Sequence, residues 1–147
     1  MRSKLSGEFY GTLKTIYVDG NMWKMDQSED AFGLLVVDNV SGTQYTFEPD
    51  NGFIFDFASI PRPARWFYPK TGRGESGQYG PAATIHDWLY SYPGGLDRKF
   101  CDRVFLLGME LKEVRYTMRS LFYRAVRIGG WRYFGKPDKL NKMRSES

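Results

Sequence analysis

The chain of 147 residues has one cysteine, one histidine and no long run of apolar residues. A single cysteine, Cys101, excludes an internal disulfide, so nothing favours a secreted fold held by disulfides. No apolar run is long enough to span a bilayer, and the N-terminus lacks the apolar segment of a signal peptide. One histidine and one cysteine without ligand spacing give no zinc motif. These absences predict one soluble domain, residues 1–147, made in a cytoplasm.

Aromatic residues, by contrast, are abundant at 17% of the chain, and the positive charge is concentrated towards one end. Residues 112–147 contain ten lysines and arginines against three acids, whereas the first 111 residues have a small acidic excess. This asymmetry favours an acidic partner for the C-terminal part, such as a phosphate surface, an anionic membrane or an acidic protein. The net charge is only +4 and no nucleic-acid motif can be placed, so nucleic-acid binding is not expected.

Short strands followed by helices predict an α+β fold. The strand-like stretches lie within residues 1–57 and suggest an antiparallel meander or a small curled sheet: FYGTLKTIYV, MWKM, GLLVVD, TQYTFEP and FIFDF. Residues 58–135 are predicted to be mainly helical, with a short helix after Ser59 and longer helices at about 82–92, 96–113 and 115–128. Residues 136–147 are predicted to form a polar tail. No linker divides the chain.

The helices at 82–92 and 96–113 are joined by PGG, which favours an antiparallel pair. On the first of them, His86 and Tyr90 are i, i+4 neighbours on one face. Asp87 is turned about 100° away from His86, so the two side chains point at different things. A proton role for the imidazole and a cation role for the Asp87 carboxylate are therefore separable.

Asp102 stands in an apolar stripe of the second helix, with Phe105, Leu106 and Met109 at helical spacing. A carboxylate in such a stripe is costly unless it is paired or hydrogen-bonded. We expect the imidazole of His86 to be its partner. That contact would fix the tautomer and leave the other ring nitrogen as a base.

Structural roles are the alternatives for these three residues. His86 could be a helix histidine bonded to a carbonyl group, which is the usual situation for a lone histidine. Asp87 could cap the helix or pair with an arginine. Asp102 could be an exposed acid near the helix N-terminus, stabilised by the helix dipole.

The segment DFASIP carries a second group of candidates. Asp56 and Ser59 are expected to fix a strand-to-helix turn, with Ser59 as N-cap before Pro61. A catalytic pair of Ser59 and His86 would lack the G-x-S-x-G elbow of serine hydrolases. Cys101 is expected to be a small buried apolar residue, turned about 100° away from Asp102.

The third helix is expected to bury one side and expose basic residues near the other. The side predicted to be buried carries Met118, Leu121, Phe122 and Ala125. Arg115, Arg119 and Arg127 lie near the opposite side. Such a row is usually a solvated face, but beside Trp131 it could equally be a partner-docking surface.

The stretches HDWLY and CDRVFLLGM resemble the active-site helices of phospholipase A2, which carry H-D-x-x-Y and C-D. The resemblance implies that His86 activates water, that Asp102 orients it and that Tyr90 bonds to Asp102. It also implies a calcium ion held by Asp87 and by carbonyl groups of the glycine-rich loop that contains Gly72 and Gly74. This chain lacks the disulfides and the calcium-loop motif of that family.

About two-thirds of the chain resembles an uncharacterised family of phage and prophage proteins. The signature consists of D-x-A-S-x-P (Asp56, Ser59, Pro61), H-D-x-L-Y, an Asp-bearing helix and a Gly-Trp pair that contains Trp131. It implies a component of the phage particle, at the tail, baseplate or neck, made in the host cytoplasm and contacting other phage structural proteins. The alternative is an active calcium-dependent hydrolase acting on phospholipid of the host membrane.

Overall fold

A computed structural model of the chain describes residues 4–19, 22–55, 80–136 and 141. The six strands come first: Leu5–Tyr10 (β1), Thr15–Asp19 (β2), Met22–Met25 (β3), Gly33–Asp38 (β4), Gln44–Phe47 (β5) and Ile54–Phe55 (β6). The helices follow at Gly80–Ser91 (α1), Arg98–Leu111 (α2) and Tyr116–Gly129 (α3), with a 3-10 turn at Gly130–Arg132. The predicted α+β arrangement is confirmed.

The strands are antiparallel, as expected, but they form two sheets, in the orders β1-β4-β5 and β2-β3-β6. The expectation of a single meander or small curled sheet was wrong. The stretch FYGTLKTIYV, expected to be one strand, divides at Gly11. This residue has a φ of 70°, and a Cβ there would lie 1.9 Å from the carbonyl oxygen of Ala31. Only glycine fits such a site, and the chain leaves one sheet for the other at this point.

Alternation along β4 directs one face of the first sheet into the core. Leu34 and Val36 are fully buried, whereas Leu35 between them is largely exposed. Helix α2 packs against β1, where a Cβ on Gly7 would lie 3.3 Å from a methyl carbon of Leu107. The same Cβ would lie 2.2 Å from the carbonyl oxygen of Leu35, so the absence of a side chain at Gly7 suits the neighbouring strand first and the helix second.

Helices α1 and α2 form the antiparallel pair expected from PGG. The connection uses two glycines with positive φ, Gly94 and Gly95, and Asp97 caps α2 by accepting a hydrogen bond from the backbone N–H of Phe100 at 2.7 Å. At one end of the pair Ala82 approaches Gly108, where a Cβ would lie 2.9 Å from the Ala82 Cβ. At the other end, the later part of α1 contacts Asp102, near the start of α2. The two helices therefore run in opposite directions.

Helix α3 packs on α2 and leaves its other side exposed. Phe122 and Val126 are fully buried beside Phe105, Met109 and Val114. Leu121, which was expected on the buried side, is 39% exposed. The apolar face of α3 is therefore narrower than the sequence suggested.

Asn141, which falls in the segment expected to be a polar tail, is fully buried. Its side chain accepts a hydrogen bond from the Ile54 N–H at 2.8 Å and donates one to the Ile54 carbonyl at 2.5 Å.

Among the described residues, no helix is long and apolar enough to cross a membrane.

Candidate functional site

Helix α1 presents His86 and Tyr90 to α2 from one face, one turn apart. Both side chains are essentially buried. The His86 ring stacks on Phe105 of α2, with centroids 4.6 Å apart, and it also contacts the Tyr90 ring at 4.1 Å. An apolar wall on one side and a phenol on the other hold the imidazole in a single position.

The fully buried carboxylate of Asp102 is the centre of the site. Its Oδ1 lies 2.8 Å from His86 Nε2 and accepts a hydrogen bond from the Tyr90 hydroxyl at 2.5 Å. The structure therefore brings together the three residues that the sequence indicated for the catalytic site.

Two arginines occupy the other carboxylate oxygen of Asp102. Arg127 of α3 donates from Nη1 to Oδ2 at 2.6 Å, and Arg98 of α2 lies 3.4 Å from the same oxygen. Arg98 also donates hydrogen bonds to two carbonyl groups in the last turn of α3, those of Val126 at 2.9 Å and Arg127 at 3.2 Å. The carboxylate thus joins three helices through four donors.

Burial sets the charge states of the imidazole and the phenol. It lowers the pKa of His86 below the ordinary value of 6.5 and outweighs the opposing contact with Asp102. Burial also raises the pKa of Tyr90 well above its usual range, and the hydrogen bond to Asp102 adds to the effect. At neutral pH His86 is therefore a neutral imidazole and Tyr90 a neutral phenol.

Asp102 itself stays ionised. Burial opposes the carboxylate, but the donors His86, Tyr90 and Arg127 outweigh that cost and hold its pKa below the usual range. A carboxylate can only accept hydrogen bonds, so the proton of the neutral imidazole is assigned to Nε2. The basic lone pair of His86 is then on Nδ1, which is the form a general base needs.

Gly130 allows Tyr90 to reach Asp102. A Cβ on Gly130 would lie 2.4 Å from the Tyr90 hydroxyl oxygen and 3.1 Å from two ring carbons. Of the Gly-Trp pair expected as a structural signature, only the glycine contacts this site, whereas Trp131 is 60% exposed. The turn after α3 therefore closes directly over the phenol.

Asp87, the predicted cation ligand, is a buried residue that follows His86 on α1. Among the described residues, no group of three or more His, Cys, Asp or Glu side chains could hold a metal ion. The loop with Gly72 and Gly74, predicted to complete the calcium site, lies outside the described residues, as do Asp56, Ser59 and Pro61.

The three predicted partner-binding arginines are separated by the structure. Arg115 precedes α3 and is exposed, and Arg119 donates to the carbonyl of Val114 at 3.0 Å. Arg127 points to Asp102 and belongs to the site described above. A helical wheel could not reveal this, because the position of Arg127 depends on how α3 packs on α2.

Three contributors were not anticipated from the sequence. Arg98 stands four residues before Asp102 and could have been predicted as an i, i+4 ion pair. Arg127 is 25 residues away from Asp102 and gave no such signal. Gly130 was noted only as part of a signature, although a glycine at the end of a helix commonly marks a close backbone approach.

Cys101, next to Asp102, is not a candidate nucleophile. It is fully buried, and burial raises the pKa of its thiol to about 12. A thiol in that state is not a nucleophile at neutral pH. The ionisable cluster can therefore orient an imidazole and take up a proton, but it offers no cysteine for covalent catalysis.

The family model described as "Protein of unknown function (DUF1353)" matches residues 35–126, which run from β4 through the helix pair into α3. His86, Tyr90 and Asp102 all lie inside this range. No curated protein and no solved structure matches the chain. Since the model spans more than half of the sequence, the chain belongs to the DUF1353 family, whose function is unknown.

Proposed function

We propose that His86 is the general base of an ester hydrolase site of the phospholipase A2 type, with a phospholipid ester as the substrate. One observation carries the proposal: the buried His86 ring has Nε2 2.8 Å from Asp102 Oδ1, on facing helices. Tyr90 bonds to the same oxygen, as the resemblance of HDWLY and CDRVFLLGM implies.

The reaction follows from the tautomer. Nδ1 of His86 takes a proton from a water molecule while the water oxygen attacks the ester carbonyl carbon. Asp102 stabilises the imidazolium that forms and keeps the ring from turning. The imidazolium then returns the proton to the departing alcohol oxygen as the carbon–oxygen bond breaks, which gives a fatty acid and a lysophospholipid.

We also propose calcium as the cofactor, and Asp87 fits part of such a site. Calcium prefers carboxylate and carbonyl oxygens and takes six to eight of them. Asp87 follows His86 on α1 and is a described residue, and the carbonyl groups expected at Gly72 and Gly74 belong to the segment outside the described residues. When bound, calcium supplies Lewis-acid polarisation of the ester carbonyl.

The decisive experiment measures fatty acid release from phospholipid vesicles by the purified protein, with calcium and with EGTA. We expect His86→Asn to lower kcat about 100-fold or more, since a positioned base contributes roughly 10²–10⁴. Asp102→Asn should lower kcat less, because it leaves the base in place but loses the carboxylate that orients it. Asp87→Asn should weaken calcium binding, so that hydrolysis requires a higher calcium concentration.

Folding must be checked because the same residues pack the helix pair. Near-UV circular dichroism and urea unfolding identify variants that fold, and the exposed Asp30→Asn serves as a matched substitution outside the site. A folded His86→Asn variant with wild-type hydrolysis would refute the proposed base. A wild-type protein that hydrolyses no phospholipid with calcium present would refute the proposed activity.

We further propose that the protein is a component of a phage particle, at the tail, baseplate or neck, where it contacts other phage structural proteins. The support is the resemblance of its D-x-A-S-x-P, H-D-x-L-Y and Gly-Trp signature to phage and prophage proteins. Mass spectrometry of purified particles should detect the chain. Particles that assemble and infect normally without it would contradict this role.

A further inference from the structure

Helix α3 exposes a stripe of three apolar residues and one arginine opposite its buried face. Leu121, Arg124, Ile128 and Trp131 stand at i, i+3, i+7 and i+10, with Trp131 in the 3-10 turn that continues the helix. Ile128 is 78% exposed, more than any other large apolar residue among those described, and Trp131 is 60% exposed. These four residues are called the α3 stripe. An apolar row on the outside of a packed helix indicates a contact surface.

The charged residues within α3 and its 3-10 turn are all of one sign. Residues 116–132 contain four arginines and no acid. Arg127 is engaged by Asp102, but Arg124 and Arg132 are exposed, and the Arg132 guanidinium lies 5.5 Å from the centre of the Trp131 ring. A partner that complements this surface must combine negative charge with an apolar layer.

We propose that the α3 stripe binds the surface of an anionic lipid membrane. Ile128, Leu121 and the Trp131 ring would enter the boundary between headgroups and acyl chains. Arg124 and Arg132 would remain at the level of the lipid phosphates, as arginines at interfaces do. The choice of a lipid partner rests on the proposed function, in which a phospholipid is the substrate, although the binding itself requires no turnover.

Two other anionic partners fit less well. Nucleic-acid interfaces are polar and strongly basic, and a nearly bare isoleucine contributes nothing to phosphate recognition. A stable protein interface buries about 20–30 residues on each side, far more than one row of four. A lipid surface, by contrast, needs only a narrow apolar row with cations beside it.

Sedimentation with vesicles tests the proposal, using phosphatidylcholine alone and phosphatidylcholine with phosphatidylglycerol. We expect the wild-type protein to bind the anionic vesicles and to bind them more weakly as salt is added. Ile128→Ser should lower the partition coefficient about tenfold. Arg124→Gln should lower it about fivefold.

Matched controls exist elsewhere on the surface. Val40, in the turn between β4 and β5, is 77% exposed, so Val40→Ser removes a similarly exposed apolar side chain far along the sequence. Lys4→Gln removes an exposed positive charge before β1. Both variants should bind like the wild type, and all four substitutions lie at surface positions where folding is little affected.

Failure of this proposal can be told apart from failure of the hydrolase. His86→Asn should keep full vesicle binding whether or not the wild-type protein hydrolyses lipid. If hydrolysis occurs, Ile128→Ser should lose it on vesicles but keep it on a dispersed short-chain phospholipid. Equal binding by Ile128→Ser and Val40→Ser, no binding of anionic vesicles, or Ile128-dependent binding of duplex DNA in place of vesicles would each overturn the proposal.

Discussion

At the scale of single residues, Asp102 explains why this site is built as it is. A lone carboxylate between packed helices would be strongly destabilising, and here four donors from three helices offset that cost. The sequence predicted the partner His86 because an acid in an apolar stripe needs one. It could not predict Arg127, since that contact exists only after α3 has packed on α2.

Gly130 provides the sharpest test at this scale. Its φ of −67° suits any residue, so Gly130→Ala has no backbone strain to overcome. The added methyl group would instead meet the Tyr90 hydroxyl at 2.4 Å, and Tyr90 cannot move without losing Asp102. We expect urea unfolding to show a loss of about 1–3 kcal/mol, the usual cost of overpacking.

A second substitution separates the clash from other effects of the methyl group. In a Tyr90→Phe background the hydroxyl that Gly130→Ala would meet is gone, so the added cost of the alanine should shrink. Gly80→Ala is the control, because a Cβ there would be 3.4 Å from Leu13, an ordinary contact. Equal costs of Gly130→Ala in both backgrounds would contradict the explanation.

At the scale of secondary-structure elements, the sequence predicted local features well and long-range pairing poorly. The three helices among the described residues were placed within two residues of their observed ends, because PGG and the apolar periodicity are local signals. The short helix expected after Ser59 lies outside the described residues. The split at Gly11 was missed, because the crowding there comes from Ala31 on another segment. Asn141 was missed for the same reason, since its partner is 87 residues earlier.

Asn141 takes the place of a neighbouring strand at the edge of the second sheet. β6 pairs with β3 on one side, and the Asn141 amide bonds to both backbone groups of Ile54. Asn141→Ala should therefore cost about 1–3 kcal/mol, because a backbone N–H and carbonyl lose their partners. In this variant the Ile54 amide should exchange its hydrogen faster than it does in the wild type, while the amides of β4 should be unaffected.

The control for this prediction is Asn39→Ala, which changes an asparagine in the turn after β4 whose Oδ1 accepts a solvent-exposed hydrogen bond from the Ser6 hydroxyl at 3.3 Å. Its effect on stability should stay within about 0.5 kcal/mol. If Asn141→Ala left both the unfolding free energy and the exchange of the Ile54 amide unchanged, the two hydrogen bonds between Asn141 and Ile54 would not stabilise the fold.

At the scale of the whole molecule, the two sheets share an apolar core with α1 and α2, and a second apolar cluster joins the three helices. Composition and strand-helix order were sufficient to predict the class of fold. They could not give the sheet orders, because β1 pairs with β4 although β2 and β3, which belong to the other sheet, lie between them in the sequence. The site was accessible from sequence because most of it lies on two consecutive helices, and its remainder depends on α3.

The stability of the whole molecule should depend on pH through this site. His86 is the only histidine, and burial lowers its pKa below 6.5, so the unfolded chain takes up a proton before the folded one does. The stabilisation is therefore complete above pH 6.5 and is lost as pH falls below that value, with a slope of at most about 1.4 kcal/mol per pH unit. The lowered pKa of Asp102 acts in the same direction at lower pH.

Urea unfolding at several pH values between 8 and 5, with EGTA present to exclude metal binding, measures this dependence. We expect the unfolding free energy to be level from pH 8 to about 7 and to fall below pH 6.5. His86→Gln should abolish that fall, because no other side chain in the chain ordinarily titrates in this range. Of the groups that contact His86, Asp102 stays ionised and Tyr90 stays neutral across this range, because the pKa of the first is lowered and that of the second is raised. A wild-type protein equally stable at pH 7.5 and pH 5.5 would show that the imidazole is not held in the neutral form.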